Sequence, residues 1–474
     1  MKTDRYADGN ARPFDPHWTS DVPSLVAYLD DLCRTLTEAE NRQRKRSDNV
    51  QANFQAAIKA IVLDLYRAHA SDPTLEVGIG TRWETLQERS VWQYGSGIYA
   101  ARTFTDAMKG LLASGYVEKS TNFRNDRSGK NSRTARYKAS LALLEELEGA
   151  GASFAALSRH RGAEGIRLKD PDKRLVAYGD IRFANEARDR LSIINDMLES
   201  HWADLALTDQ KLSEELLAVA GKRDNDAAQS FDFAARTVYR VFSNNDWEQG
   251  GRFYGAWWMS CPSRFRRHIL IDGKRTVEVD YSGLHAAMLY AQAGLTIPDD
   301  PYGKCLTNSG NKDERNLVKR TFNALLNASS VAAINEIEGY SADLTERDWK
   351  SFKRFIVMSY PEFETHFGSG VGLRLQRKDS DLAEAVMLRF SKMGYACLPV
   401  HDSFIVHHGL QDDLTEAMQA VFKAEFGDVG KVSYDIGVGE PVDTIGGPAK
   451  ADIDQLLNPN GYQARLQAFW ASRE

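Results

Sequence analysis

A chain of 474 residues has room for two or three domains with their own cores, and 42% hydrophobic with 27% charged residues is the balance of a globular protein. No apolar run reaches the length of a membrane span and the charged N-terminus does not read as a signal peptide, so a membrane partner is excluded and a cytoplasmic location is expected. The formal net charge of −6 does not advertise a nucleic-acid partner, so charge has to be read along the chain.

Residues 1–47 read as an N-terminal segment with one helix over Val22–Leu36 and a densely charged stretch, Glu38–Arg46. Residues 48–149 read as a separate small domain. Ile58, Ile61, Val62 and Leu65 form a helical stripe, and 83–94 and 102–114 predict two more helices, the second ended by Gly115 as a C-cap. Strands at Tyr116–Val117 and Thr134–Ala139 flank a polar loop, and helices followed by a hairpin predict a winged helix. Between Lys119 and Lys138 stand seven basic residues against one aspartate: Lys119, Arg124, Arg127, Lys130, Arg133, Arg136 and Lys138. That imbalance suits phosphate contacts on a duplex, with Tyr99, Arg102, Thr103 and Lys109 as candidate groove readers. The competing reading is a solvated loop or a module for protein contacts.

Residues 150–182 read as a basic linker, glycine-rich and carrying Arg159, His160, Arg161, Arg167 and Lys169, able to follow a strand backbone. Ala184–Ala220 predicts helix, and Phe231–Val241 another. From Gly250 to Arg275 basic residues are dense, with Arg252, Arg264, Arg266 and Arg267 interleaved with Phe253, Tyr254, Trp257, Trp258 and Phe265. By composition this is a nucleic-acid surface, or else a core strand flanked by surface arginines, with the Trp pair in the core.

The stretch that organises the remainder is Thr276–Tyr290, TVEVDYSGLHAAMLY. Val277 and Val279 alternate with Glu278 and Asp280, the period of a strand, and helical spacing follows from Leu284. Asp280 therefore stands at a strand end before a Ser-Gly turn, either reaching a metal or phosphate or capping the next helix. A second acid, Asp402, stands at the tip of the hairpin-like LPVHDSFIV, Leu398–Val406. Between them RNLVKRTFNALLNAS puts Arg315 and Lys319 four apart on one helical face. Gln411–Phe426 predicts a helix under the sheet, and the tail 449–474 ends in an amphipathic segment, Tyr462–Trp470. Cys33, Cys261, Cys305 and Cys397 lack metal-ligand spacing and fit a reduced protein.

DYSGLH resembles the first palm motif of family A DNA polymerases, and VHDSF resembles the third motif in the form used by phage-type single-subunit RNA polymerases. Arg315 and Lys319 match the middle motif, and the Lys319-Arg320 pair is similar to the RNA polymerases. GGRFYG, Gly250–Gly255, with Pro262 and the basic run behind it, resembles the segment before the first motif. Two departures stand out. His285 occupies the place of a glutamate in the first motif, and Asn327 and Ala328 replace the tyrosine-glycine pair of the middle one.

The resemblance, over about Phe231–Val442, implies an α+β fold. A right-hand polymerase palm, an antiparallel sheet with helices, short fingers and a helical thumb, would occupy 183–448 behind the winged-helix-like domain. It implies a nucleotidyltransferase in which Asp280, Asp402 and the carbonyl of Tyr281 hold two Mg²⁺ ions, or Mn²⁺ in their place. Arg315 and Lys319 would hold the triphosphate, Lys319 protonating the pyrophosphate, and Asn323, Asn327, His285, Tyr281 and Arg252 complete the nucleotide-binding set. Arg264, Arg266, Arg267 and His401 are expected beside primer or template, and Glu278 is an outer-shell candidate. The partners implied are DNA, or RNA, and NTPs or dNTPs. With the sugar barrier of the DNA polymerases absent at His285 and Asn327, the balance favours an RNA polymerase or primase-like activity. DYS argues for a DNA polymerase. A template-independent nucleotidyltransferase and a DNA-binding protein with an inactive palm remain open. The separations Asp280–Lys319 and Lys319–Asp402 are short for elaborate fingers.

Overall fold

Hydrophobic residues at helical and strand spacing sort the described residues into two large cores, with a small cluster of Ala206, Leu270 and Tyr462 beside them. A computed structural model describes residues 11–40, 42–122, 134–206, 232–307, 310–427, 434–438 and 462–473. The first core runs from Phe14 to Leu157 and takes in Ala234. Its elements are β1 (Ala11–Pro13), α1 (Pro23–Ala39), α2 (Asp48–Ser71), β2 (Glu76–Gly78), α3 (Trp83–Val91), α4 (Ala101–Ala113), the hairpin β3 (Val117–Thr121) and β4 (Arg136–Ala139), and α5 (Leu141–Gly149). The sheet order is β1-β2-β4-β3. Ile58, Ile61, Val62 and Leu65 of α2 are buried, as their spacing requires. Gly115, at φ 76°, closes α4. Of the residues before 48, the described stretch 11–40 belongs to this core: Leu25, Leu29, Leu32 and Leu36 bury one stripe of α1, and β1 pairs with β2. The loop bearing Arg124, Arg127, Lys130 and Arg133 lies outside the described residues.

The second core holds two sheets. In the smaller, β5 (Ile166–Lys169), β6 (Leu175–Val176), β8 (Tyr239–Ser243) and β9 (Asp246–Tyr254) lie in the order β9-β8-β5-β6. The stretch 150–182, expected as a linker, thus contributes strands; Ile166 and Leu168 alternate into the core, and Gly162 and Gly165 lie in the segment that leads into β5. The expected helix over Phe231–Val241 is replaced by β8. Tyr-Arg-Val-Phe-Ser has a period of two, burying Arg240 and Phe242, and that alternation outweighs helix propensity. Helix α6 (Arg182–Ser200) ends before β7 (Ala203–Leu205). Residues 207–231, which hold the remainder of the expected helix, lie outside the described set.

The larger sheet has the order β12-β13-β11-β10-β7, from β10 (Ile269–Ile271), β11 (Lys274–Tyr281), β12 (Leu398–Val400) and β13 (Ser403–His407), with β14 (Tyr434–Val438) also pairing β11. All pairings are antiparallel. Val277, Val279 and Tyr281 bury one face of β11, leaving Glu278 and Asp280 on the other. Helices α7 (Leu284–Gln292), α8 (Lys312–Asn327), α9 (Gly372–Met393), α10 (Gln411–Phe426) and α11 (Tyr462–Ala471) belong to this half, as does the helix Trp349–Ser359. Tyr281 donates its hydroxyl to the carbonyl of Met418 on α10 at 2.7 Å, fixing that helix behind the sheet. In the tail helix Phe469 is buried against Trp202, and Arg465 bonds buried Asp204 at 2.8 Å. The architecture is α+β. All four cysteines are free and buried, and no described helix is long and apolar enough to cross a membrane.

Candidate active site

The strand-end acids are brought together by register. Asp280 pairs with Ser403, so Asp402, in the turn between β12 and β13, lies level with Tyr281. The Tyr281 N–H donates to the Asp402 carbonyl at 3.4 Å. The turn is tight: His401 sits at φ 57°, a left-handed conformation that lifts the tip out of the sheet. Two carboxylates at neighbouring strand ends, with the Tyr281 carbonyl beside them, are hard oxygen donors of the kind Mg²⁺ accepts, water and phosphate oxygens filling the remaining positions. Among the described residues no group of three His, Cys, Asp or Glu side chains gathers to hold a metal, so a cation here would be held by two side chains. The Tyr281 side chain faces the core, and only its backbone reaches this site.

Around the acids stands a charged frame. Arg266 grips Glu278 through both carboxylate oxygens at 2.8–3.1 Å, and Ser403 donates its hydroxyl to the same carboxylate at 2.7 Å. Glu278 and Arg266 therefore neutralise each other and stiffen the β11–β13 pair, where sequence placed Arg266 on the nucleic acid. Arg264 and Arg267 are exposed on the adjoining turn. Arg252 of β9 reaches across to Asp379 of α9 at 2.7 and 3.0 Å, and Nε2 of His285 lies 3.9 Å from the same carboxylate oxygen. Asp379 is 2% exposed. Partial burial lowers the pKa of His401, the Arg252 cation adding to it against Asp402 and Asp379. His401, Arg252, Asp379 and Asp402 thus share one electrostatic neighbourhood.

Helix α8 presents Arg315, Lys319, Asn323 and Asn327 at four-residue intervals, between the buried positions Leu317, Val318, Thr321, Phe322, Leu325 and Leu326. Asn311 caps the helix by accepting from the Asp313 and Glu314 amides. Arg315 pairs with Asp300 at 2.9 Å, both about one-third exposed. Lys319 has no ion pair or hydrogen bond among the described residues. Arg320 turns away toward Gly339. Asn327 donates to the Asn323 carbonyl at 2.7 Å and rests against Gly372, where any side chain would overlap it.

Three participants are not legible in the motifs. Tyr302, 1% exposed, packs on Gly283 of the DYSG turn, lies under Arg315 and within hydrogen-bond reach of Asn323; burial raises its pKa, and Asp402 is close enough to add to that. It joins the α8 stripe to the acid pair. Asp379 and Asp300 are the others, each holding an arginine that sequence had assigned to substrate. Arg136, expected on DNA, is 3% exposed and meets Glu76 at 3.3 Å. The sequence signal for these partners is weak, since each contact joins residues distant in the chain.

No family profile matches the chain, and no curated protein matches it. Among solved structures it is similar to the POL domain of Pol1 from M. smegmatis, in a complex with DNA primer-template and dNTP. Identity is 11%, with 90% of this chain and 67% of that one covered, at a TM-score of 0.32. A TM-score this low leaves the assignment to the geometry itself.

Proposed function

We propose that the chain is a nucleic-acid polymerase that joins nucleoside triphosphates on a DNA template by a two-metal mechanism, with ribonucleotides favoured. The observation that carries this reading is that Asp280 and Asp402 stand at adjoining strand ends, with Tyr302 packed between the DYSG turn and Arg315 of the Arg315–Lys319 face. Two bound Mg²⁺ ions would lower the pKa of a 3′-hydroxyl and offset charge on the leaving pyrophosphate. Asp280 and Asp402 would hold them. Lys319, uncommitted to any described carboxylate, meets the β- and γ-phosphates and returns a proton to pyrophosphate. Arg315 exchanges Asp300 for phosphate oxygens at little cost, because the pair is partly exposed. Arg252, held by Asp379, and His285, whose Nε2 lies 3.9 Å from the same carboxylate, line the approach of the primer end. In the first core the order helix, strand, helix, helix, hairpin supports a winged helix that meets duplex DNA through the β3–β4 loop.

The test is incorporation of labelled NTPs and dNTPs with Mg²⁺ on primed and unprimed single-stranded DNA, beside the Asp280→Asn/Asp402→Asn variant. Synthesis by the wild type alone is expected. Absence of synthesis on every template, with duplex binding retained, would instead favour a DNA-binding protein.

A further inference from the structure

A cavity of about 510 Å³ lies away from the acid pair. It opens between the two cores, walled by Trp18 and Arg67 of the first, by the 159–167 stretch, and by Tyr239 and Gly255 of the small sheet. Four of its arginines are neutralised: Arg67 by Asp64, Arg159 by Asp15, Arg161 by Asp196 and Arg188 by Glu164. Arg167 is the exception. It makes no ion pair with any described residue, and its Nε is buried without a hydrogen-bond partner. Burial lowers its pKa, and the Arg159 cation adds to that. A cation left in such a place costs stability, which an anionic ligand would offset.

Register supplies the second observation. Arg167 is level with Val241, and Val241 with Arg252, while Tyr239 is level with Tyr254. All five lie on the same face of the sheet, opposite Ile166, Leu168, Arg240, Phe242 and Phe253, which are buried. Across three strands the guanidinium of Arg167 lies 3.4 Å from the Tyr239 ring centre, and that ring stacks on Tyr254 at 6.2 Å with 29° between planes. Tyr254 is 39% exposed. Gly255, at φ 115°, makes room for the Tyr239 ring, which a Cβ there would approach to 2.7 Å. Two residues from Tyr254, Arg252 reaches Asp379 beside the acid pair. A row of cations and flat rings thus runs from the cavity toward the candidate active site.

We propose that this face is a track for a single nucleic-acid strand, with a strand phosphate, terminal or internal, seated on Arg167 in the cavity and a base stacked on Tyr254. The direction of the row rests on the polymerase reading; the phosphate seat rests on the cavity alone. Cation plus aromatic face is the chemistry of single-strand binding without base readout.

Binding of fluorescent single-stranded DNA to the full chain, without divalent cation or triphosphate, tests it. Failure of the polymerase reading would leave this measurement standing. Arg167→Gln is expected to weaken binding by about 10-fold and to reduce the slope of log affinity against log salt by about one. Tyr254→Ala is expected to weaken it by at least about 5-fold. Strands with 5′-phosphate and 5′-hydroxyl ends separate the two seats: loss confined to the phosphorylated strand marks a terminal phosphate, equal loss an internal one. Melting temperature is the control for folding, because Arg167→Gln removes a half-buried charge that has no ion pair among the described residues and is expected to leave it unchanged or raise it. Unaltered affinity of Arg167→Gln for both strands, or a fall of melting temperature marking a structural arginine, overturns the proposal.

Discussion

At the scale of single residues, Tyr302 alters how sugar choice should be approached. In the resemblance, a glutamate of the first motif packs on a tyrosine of the middle motif and excludes the 2′-hydroxyl. Here Asn327 turns to Asn323 and Gly372, so no ring comes from that position. A ring arrives instead from the loop before α8, with Tyr302 against the DYSG turn. In the proposed polymerase a tyrosine hydroxyl near the sugar would favour the nucleotide whose 2′-hydroxyl can bond to it. We predict that Tyr302→Phe narrows the preference for NTP over dNTP by about 10-fold, read as the ratio of kcat/KM values. An unchanged ratio would remove Tyr302 from sugar selection. Lys319 carries a separate prediction. Lys319→Ala should slow incorporation by about 10²–10⁴-fold, the usual worth of a positioned proton donor, while primer-template affinity is retained. An equal loss in affinity would make Lys319 a binding residue only.

At the scale of elements, the small sheet and α9 are joined by a contact that no local pattern announces. Arg240, wholly buried, donates to the Gly251 carbonyl and to Glu384 and Ser380, each at 2.8 Å, and to Asp381 at 3.1 Å. Gly250 and Gly251 adopt φ of 77° and 81° where the β8–β9 register shifts, and a Cβ on Gly251 would approach Ser380 Oγ to 2.7 Å. Gly251 therefore serves close packing of the sheet on α9, which carries Asp379 to Arg252. Arg240→Ala leaves Glu384 with Arg190 alone and strips the Gly251 carbonyl and Ser380 of their donor, and should cost about 3–5 kcal/mol, measured by urea unfolding. A change under about 1 kcal/mol would show that solvent relaxes the site. What the sequence disclosed and what it hid divide along the same line. The β11 strand end, the β12–β13 hairpin and the α8 stripe are written in periods of two and four within short stretches. Asp379, Tyr302 and Arg240 act through partners far away in the chain, and periodicity carries no signal for that. The 150–182 strands were hidden differently: each is two to four residues long, and the glycines and charges of their turns dominate composition.

At the scale of the whole molecule, the seam between the cores is electrostatic. Arg67 of α2 pairs with Asp64 and with Asp232, which leads toward β8, and stacks 4.0 Å over Trp18. Arg159, in the bridge Ser158–Arg159 to Trp18–Thr19, holds Asp15 at 2.8 Å. Burial pushes the Asp15 carboxyl up, but the Arg159 and Arg67 guanidiniums outweigh it and hold it well below the usual carboxylate range. Because the folded pKa is depressed, the stabilisation is complete above the unfolded value of about 3.9 and is lost as pH falls through the folded one. We therefore expect a single calorimetric transition near neutrality, where the seam couples the cores, and separation into two transitions as pH falls below about 4. Asp15→Asn should produce the separation at higher pH, since it removes the titrating charge while keeping the shape. The same seam walls the cavity of Arg167, so strand binding that depends on Arg167 should fail in step with the separation. One transition persisting at acid pH, in wild type and Asp15→Asn alike, would mean that apolar contact through Phe154 and Ala235, which touch both cores, suffices to couple them.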